Sequence, residues 1–215
     1  MDIKKGELQL AKPFIDEHLD RLIDWSVGDI RKCCHLNQDG SCDENGSLVG
    51  AYILWCCAIE YLGGLYTGLT GAGNTRARFK EFIQKYMPSY DAQKVEDLRW
   101  SLSHYYSPHH FVLYHEGNLQ KNRDIHLSET PRGILLHLGC AIEDLENAAD
   151  AFRSDVEQDQ TLQVKIWRFY KEQLPVMPLE VEKLIASTMA SQETGSVMQT
   201  SSTAAGTVGP EEWSK

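Results

Sequence analysis

The sequence predicts an all-α fold: a helical bundle with one small extended or hairpin excursion and a disordered C-terminal tail. Three observations carry this. The run 49–62 is apolar nearly all round, with Glu60 its one charged residue, as in a helix surrounded by other elements. On either side, apolar residues recur at spacings of three and four, the period of one helix face. Between these stretches stand Gly68, Gly71, Gly73, Pro88 and Pro108, residues that punctuate helices.

Segment 12–34 is expected to be helical, with Phe14, Leu19, Leu22, Ile23 and Ile30 on one face. The polar stretch 37–47 is a loop. It is rich in oxygen ligands, but no window places Gly sixth among acidic residues at EF-hand spacing, so it is read as a turn. The apolar helix follows over 48–69. Asn74-Thr75 can cap a helix running to Met87, whose inner face is Phe79, Phe82, Ile83 and Tyr86. Asp91 caps the next helix, 91–106, with Val95, Leu98 and Leu102 turned inward; Ser107-Pro108 stops it, because a proline ring clashes with a further turn.

Residues 110–115 and 124–127 alternate as a small hairpin or extended excursion would. A long helix is expected over 131–156, with Pro131 in its first turn and an inward face of Ile134, Leu135, Leu138, Ala141, Ile142, Leu145 and Ala148. Two shorter helices, 158–173 and 178–189, are separated by Pro175 and Pro178. From Ser191 onward Ser, Thr, Gly and Ala dominate without an apolar period. The expected organisation is one helical domain over 1–190 and a disordered tail over 191–215.

The chain has 215 residues, enough to build a core without covalent staples. Its formal charge is −10, the opposite of what duplex-DNA binding through phosphate contacts requires. An RNA-cleaving site needs only a local basic patch, and Arg76, Arg78, Lys80, Lys85, Lys94 and Arg99 are grouped in sequence; two ordinary solvated helix faces would look the same. Two of the cysteine pairs are adjacent, Cys33-Cys34 and Cys56-Cys57, which suits reduced thiols in a cytoplasm better than a disulfide framework. No apolar stretch is expected to cross a membrane, and the opening residues have no secretory h-region.

The stretch with chemical content is Arg99-Trp100-Ser101-Leu102-Ser103-His104-Tyr105-Tyr106. A permanent guanidinium can hold a phosphate while an imidazole moves a proton, a division of labour suited to cleaving a phosphodiester without metal or cofactor. Arg99 and His104 are therefore the catalytic candidates, with Tyr106, Glu60, Trp100 and Ser103 in support. Five residues along a helix rotate His104 about 140° away from Arg99, so the two converge only through a long side-chain swing, a distorted turn or a second subunit. The alternative is structural: Arg99 bridges to a carboxylate such as Glu60, and His104 caps the last carbonyls. Zinc at His104, His109, His110 and His115 lacks a recognised ligand spacing, as does a site at Cys33, Cys34, His35 and Cys42.

The Arg-x4-His-x-Tyr pattern of Arg99, His104 and Tyr106 resembles the signature of HEPN domains, helical modules of RNA-cleaving toxins and anti-phage systems. The order of helices fits over about 45–155, and 58–64 and 82–87 are similar to uncharacterised bacterial proteins with a Leu-Arg-x4-His-x-Tyr element. The resemblance implies a homodimer in which Arg99 and His104 of two subunits meet, RNA as substrate, and cleavage by attack of the ribose 2′-hydroxyl. It also implies a nucleotidyltransferase-type antitoxin as a partner acting on Tyr106. Trp100 departs from the pattern, since active members often carry a polar residue (Asn, Asp or His) there; it either stacks on a base or marks a non-catalytic scaffold that kept the fold.

Overall fold

A computed structural model describes residues 5–35, 37, 46–117 and 119–173. The helix expected at 178–189, the tail 191–215 and most of the loop 37–47 lie outside the described residues. The described chain is mostly helical, with helices α1 (Lys5–Cys33), α2 (Leu48–Thr67), α3 (Thr75–Tyr86), α4 (Ala92–Tyr105), α5 (Leu119–Asn122), α6 (Leu138–Gln158) and α7 (Gln160–Gln173). A three-stranded sheet stands beside them: β1 (Phe111–Tyr114), β2 (Glu129–Thr130) and β3 (Gly133–His137).

Helix α2 is the hub and packs against α1, α3, α4, α6 and α7. It starts at Ser47, whose hydroxyl accepts the Gly50 N–H, and ends at Gly68 in the left-handed region. Its length and composition would suffice to cross a membrane, against the sequence expectation, but more than half of it is buried by the surrounding helices. Trp55 and Tyr52 are fully buried and turn their polar tips onto α6 and β3: the indole N–H donates to the Ala141 carbonyl at 2.8 Å, and the Tyr52 hydroxyl donates to that of Leu136. Gly63 lets α3 approach closely, since a Cβ there would lie 2.3 Å from the Arg78 carbonyl oxygen. Tyr66, Phe82, Tyr86 and Phe152 close the other end of the core with ring centroids 5.0–6.3 Å apart, mostly edge to face.

Four expectations are corrected. The first helix begins at Lys5, before Pro13, rather than at 12. Asn74 does not cap α3 with its side chain: its backbone is already helical, and its amide donates back to the Thr70 carbonyl at 2.7 Å. The helix expected over 131–156 begins only at Leu138, because 133–137 is a strand. Gly133 has φ 132°, a conformation that starts a strand and not a helix, and a Cβ there would press on the His110 carbonyl. The run Ile134-Leu135-Leu136-His137 then pairs in parallel with Phe111-Val112-Leu113-Tyr114. The hairpin is consequently formed by β2 and β3 rather than by 110–115 with 124–127; the latter segment is a turn after α5. A parallel partner is invisible to local periodicity, which also cannot separate a short buried strand from a helix turn.

Candidate active site

Helix α4 positions the candidate residues. Asp91 accepts the N–H groups of Gln93 and Lys94, so the helix start is satisfied. At its other end Tyr106 lies in the left-handed region at φ 53°, and the N–H groups of Tyr106 and Ser107 take the carbonyls of Leu102 and Ser101. The backbone thus closes the helix, and His104 is not needed as a cap. A non-glycine residue in that conformation costs roughly 1–2 kcal/mol.

Arg99 points toward the junction of α2, α3 and α4. Its guanidinium lies 3.1 Å from Glu60 on α2 and 3.5 Å from Glu96 one turn earlier, and 5.5 Å above the Phe79 ring. Glu60 also accepts from Arg78 on α3 at 2.6 Å, and Glu96 from Arg76 at 3.1 Å. Three guanidinium groups therefore meet two carboxylates. Glu96 is 1% exposed and Arg99 20% exposed, so little water screens that pair, whereas Arg76 stands mostly in solvent. Cys56 lies beside this network fully buried, and burial pushes its thiol up.

His104 has different surroundings. Its ring packs on Trp100 at 5.2 Å and faces Tyr105 at 6.4 Å, while Trp100 and Tyr105 meet at 5.1 Å. All of these residues, with Tyr106, are exposed. Ser103 is occupied locally, its hydroxyl donating to the Arg99 carbonyl at 2.9 Å. Within one chain the structure joins Arg99 to Glu60 and joins His104 to Trp100, and it does not bring the two groups together. The helical rotation accounts for this separation.

The other basic residues are spent on nearby polar groups: Lys80 on Gln93, Lys85 on Asp155 and Lys94 on Glu129. The expected basic face is largely neutralised by pairing between elements. His110 pairs with Asp97 at 3.3 Å, and among the described residues no three His, Cys, Asp or Glu side chains are placed to hold a metal.

One polar cluster had no signature in the sequence. Tyr90 donates to Asp144 at 2.7 Å and meets His126 Nε2 at 2.9 Å; Arg123 binds Asp144 at 2.6 Å and also pairs with Glu143. The His137 N–H donates to His126 Nδ1, so that nitrogen carries no proton and Nε2–H faces Tyr90 and Asp144. Burial alone would raise the Asp144 carboxyl, but hydrogen bonds from His126, Tyr90 and Arg123 and the Arg123 charge hold it below the usual carboxylate range. Burial pushes the Tyr90 hydroxyl well up, and Asp144 adds to this, so Tyr90 is no ready base. The side-chain partners in this cluster stand 18 to 54 positions apart in the sequence, so no spacing along one element could have revealed the pairing. The cluster ties the turn after α5 to α6 and the loop before α4. Tyr90, with Lys94, Phe111, Leu127, Glu129 and Ile134, also walls a cleft of about 280 Å³.

Comparison of the chain with family models, with curated proteins and with solved structures finds no match in any of the three.

Proposed function

We propose that this protein is a HEPN-like, metal-independent endoribonuclease of toxin or phage-defence type, acting on RNA as a homodimer. The observation that carries this reading is the contrast within Arg99 to Tyr106: a guanidinium fixed by carboxylates from two helices, and a solvent-facing imidazole five residues on. His104 takes the proton of a ribose 2′-hydroxyl, whose oxygen attacks phosphorus. The P–O5′ bond breaks, the 5′ oxygen receives a proton, and a 2′,3′-cyclic phosphate and a 5′-hydroxyl remain. Arg99 stabilises the charge that grows on the equatorial oxygens. One subunit's Arg99 would stand beside the other's His104, which answers their divergence on a single helix. Tyr106, its ring exposed, is the hydroxyl that a nucleotidyltransferase-type antitoxin would modify.

A second reading, a non-catalytic scaffold, is favoured by the engagement of Arg99 with Glu60 and Glu96. The two separate in one experiment. Purified protein is incubated with single-stranded RNA in excess EDTA, alongside His104→Ala and Arg99→Lys. The ribonuclease reading expects cleavage by the wild type and its loss in both variants, with unchanged circular dichroism. Equal cleavage by wild type and His104→Ala removes it.

A further inference from the structure

Four aromatic rings stand exposed within seven residues at the end of α4. Trp100 is 44% exposed, Tyr105 66% and Tyr106 74%, and His104 is exposed between them. Trp100 packs against both His104 and Tyr105, tilted 52° from the first ring and edge-on at 69° to the second, which holds the indole between them while leaving it 44% exposed. Each ring carries a polar tip, unlike the aliphatic faces by which helices pack on one another. The charge of the region is distinctive too. From Trp100 to His115 the chain has no acidic residue and four histidines, in a molecule of formal charge −10. The net charge opposes a polyanion overall; this segment adds no carboxylate of its own, and the nearby Asp97 is paired with His110 at 3.3 Å.

We infer that Trp100 and Tyr105 form a stacking platform for unpaired bases of single-stranded RNA. The inference rests on the ribonuclease reading and narrows its substrate to strands whose bases are splayed out. Stacking on an indole is open to any base but not to bases inside a duplex, so the platform selects for unpaired RNA with little sequence preference. A base lying on Trp100 brings its ribose toward His104, the neighbouring ring. Trp100, the departure from the polar residue expected at this position, then serves substrate placement.

The test uses full-length protein and 12-nucleotide strands with 2′-O-methyl riboses, which cannot be cleaved by 2′-hydroxyl attack. Binding is followed by fluorescence anisotropy of a labelled strand. Expected are binding of 2′-O-methyl oligoadenylate and oligouridylate and weaker binding of an abasic strand of equal charge. A loss of roughly 5- to 150-fold is expected in Trp100→Ala, with retention in Trp100→Phe. Tyr105→Ala is the second variant; both side chains are on the surface, and thermal melts check that each variant folds. Equal affinity of Trp100→Ala and wild type, or of abasic and normal strands, overturns the inference. So does a Trp100→Ala protein that changes from dimer to monomer in light scattering while its RNA affinity stays constant, since the rings would then be a contact between chains. Binding that behaves as expected, with no cleavage of ordinary RNA, leaves the platform standing and removes the ribonuclease reading.

Discussion

Replacing Glu60 by Gln isolates the role of the carboxylate that joins α2, α3 and α4. The amide keeps the shape and one acceptor oxygen but removes the charge facing Arg78 and Arg99. Exposed ion pairs contribute about 0–1 kcal/mol, and stripping one partner from a buried pair costs about 3–5 kcal/mol. Glu60 is 22% exposed and serves two guanidiniums, one of them 12% exposed, so an intermediate cost of about 2–3 kcal/mol follows. For a chain of this size that lowers the melting temperature by roughly 4–12 °C. Thermal unfolding by circular dichroism at low salt measures it, and a cycle with Arg99→Gln should return a coupling above about 1 kcal/mol. A melting temperature within about 1 °C of wild type would refute the reasoning, and with it the idea that Arg99 is held in place by Glu60.

Gly63→Ala drives a methyl group against the Arg78 backbone and should cost about 1–3 kcal/mol in urea unfolding, whereas Gly73→Ala, with open space around it, should cost far less. Phe152→Ala, at the centre of the aromatic cluster, should cost about 3–5 kcal/mol in the same titration. Burial, with the neighbouring His126, lowers the His137 imidazole, while the backbone of Gly117 and His115 acts the other way. Its unfolded counterpart takes up a proton near pH 6.5 that the folded group refuses, so stability present above about pH 6.5 falls as pH drops toward the lowered value. His137→Asn, which keeps a capping side chain for α6, should flatten that slope in melts at stepped pH. Asp144, held low, contributes stability that is present above the ordinary carboxylate range and lost below it; Asp144→Asn should remove that acid-side loss.

Much of the helical order was legible because its signals are local. Asp91 caps α4, Phe79, Phe82 and Ile83 bury the inner face of α3, and the apolar run of α2 lies at the centre. The Glu60–Arg99 bridge was only partly legible, because a lone carboxylate in such a run fits an edge position as well as a cation partner; the structure shows the partner. The segment 131–137 was misread because a few apolar residues fit a strand as well as a helix turn; a parallel partner more than twenty positions away decides between them. Arg78 as the second partner of Glu60, and the cluster of Tyr90, Arg123, His126 and Asp144, depend on which helices meet, information that no spacing along one element contains. At the site the divergence of Arg99 and His104 followed from helical rotation alone, whereas the packing of His104 on Trp100 depended on rotamers.

In the proposed ribonuclease, Arg99 and His104 of two identical chains act on one phosphodiester. Mixing Arg99→Lys and His104→Ala proteins, each inactive alone, under conditions that exchange subunits should then restore release of 2′,3′-cyclic phosphate ends in EDTA. A mixed dimer holds one intact site of two, so random exchange should restore about a quarter of the wild-type rate. No activity above that of the separate variants, with exchange verified by mass spectrometry, would rule out a site shared between two chains.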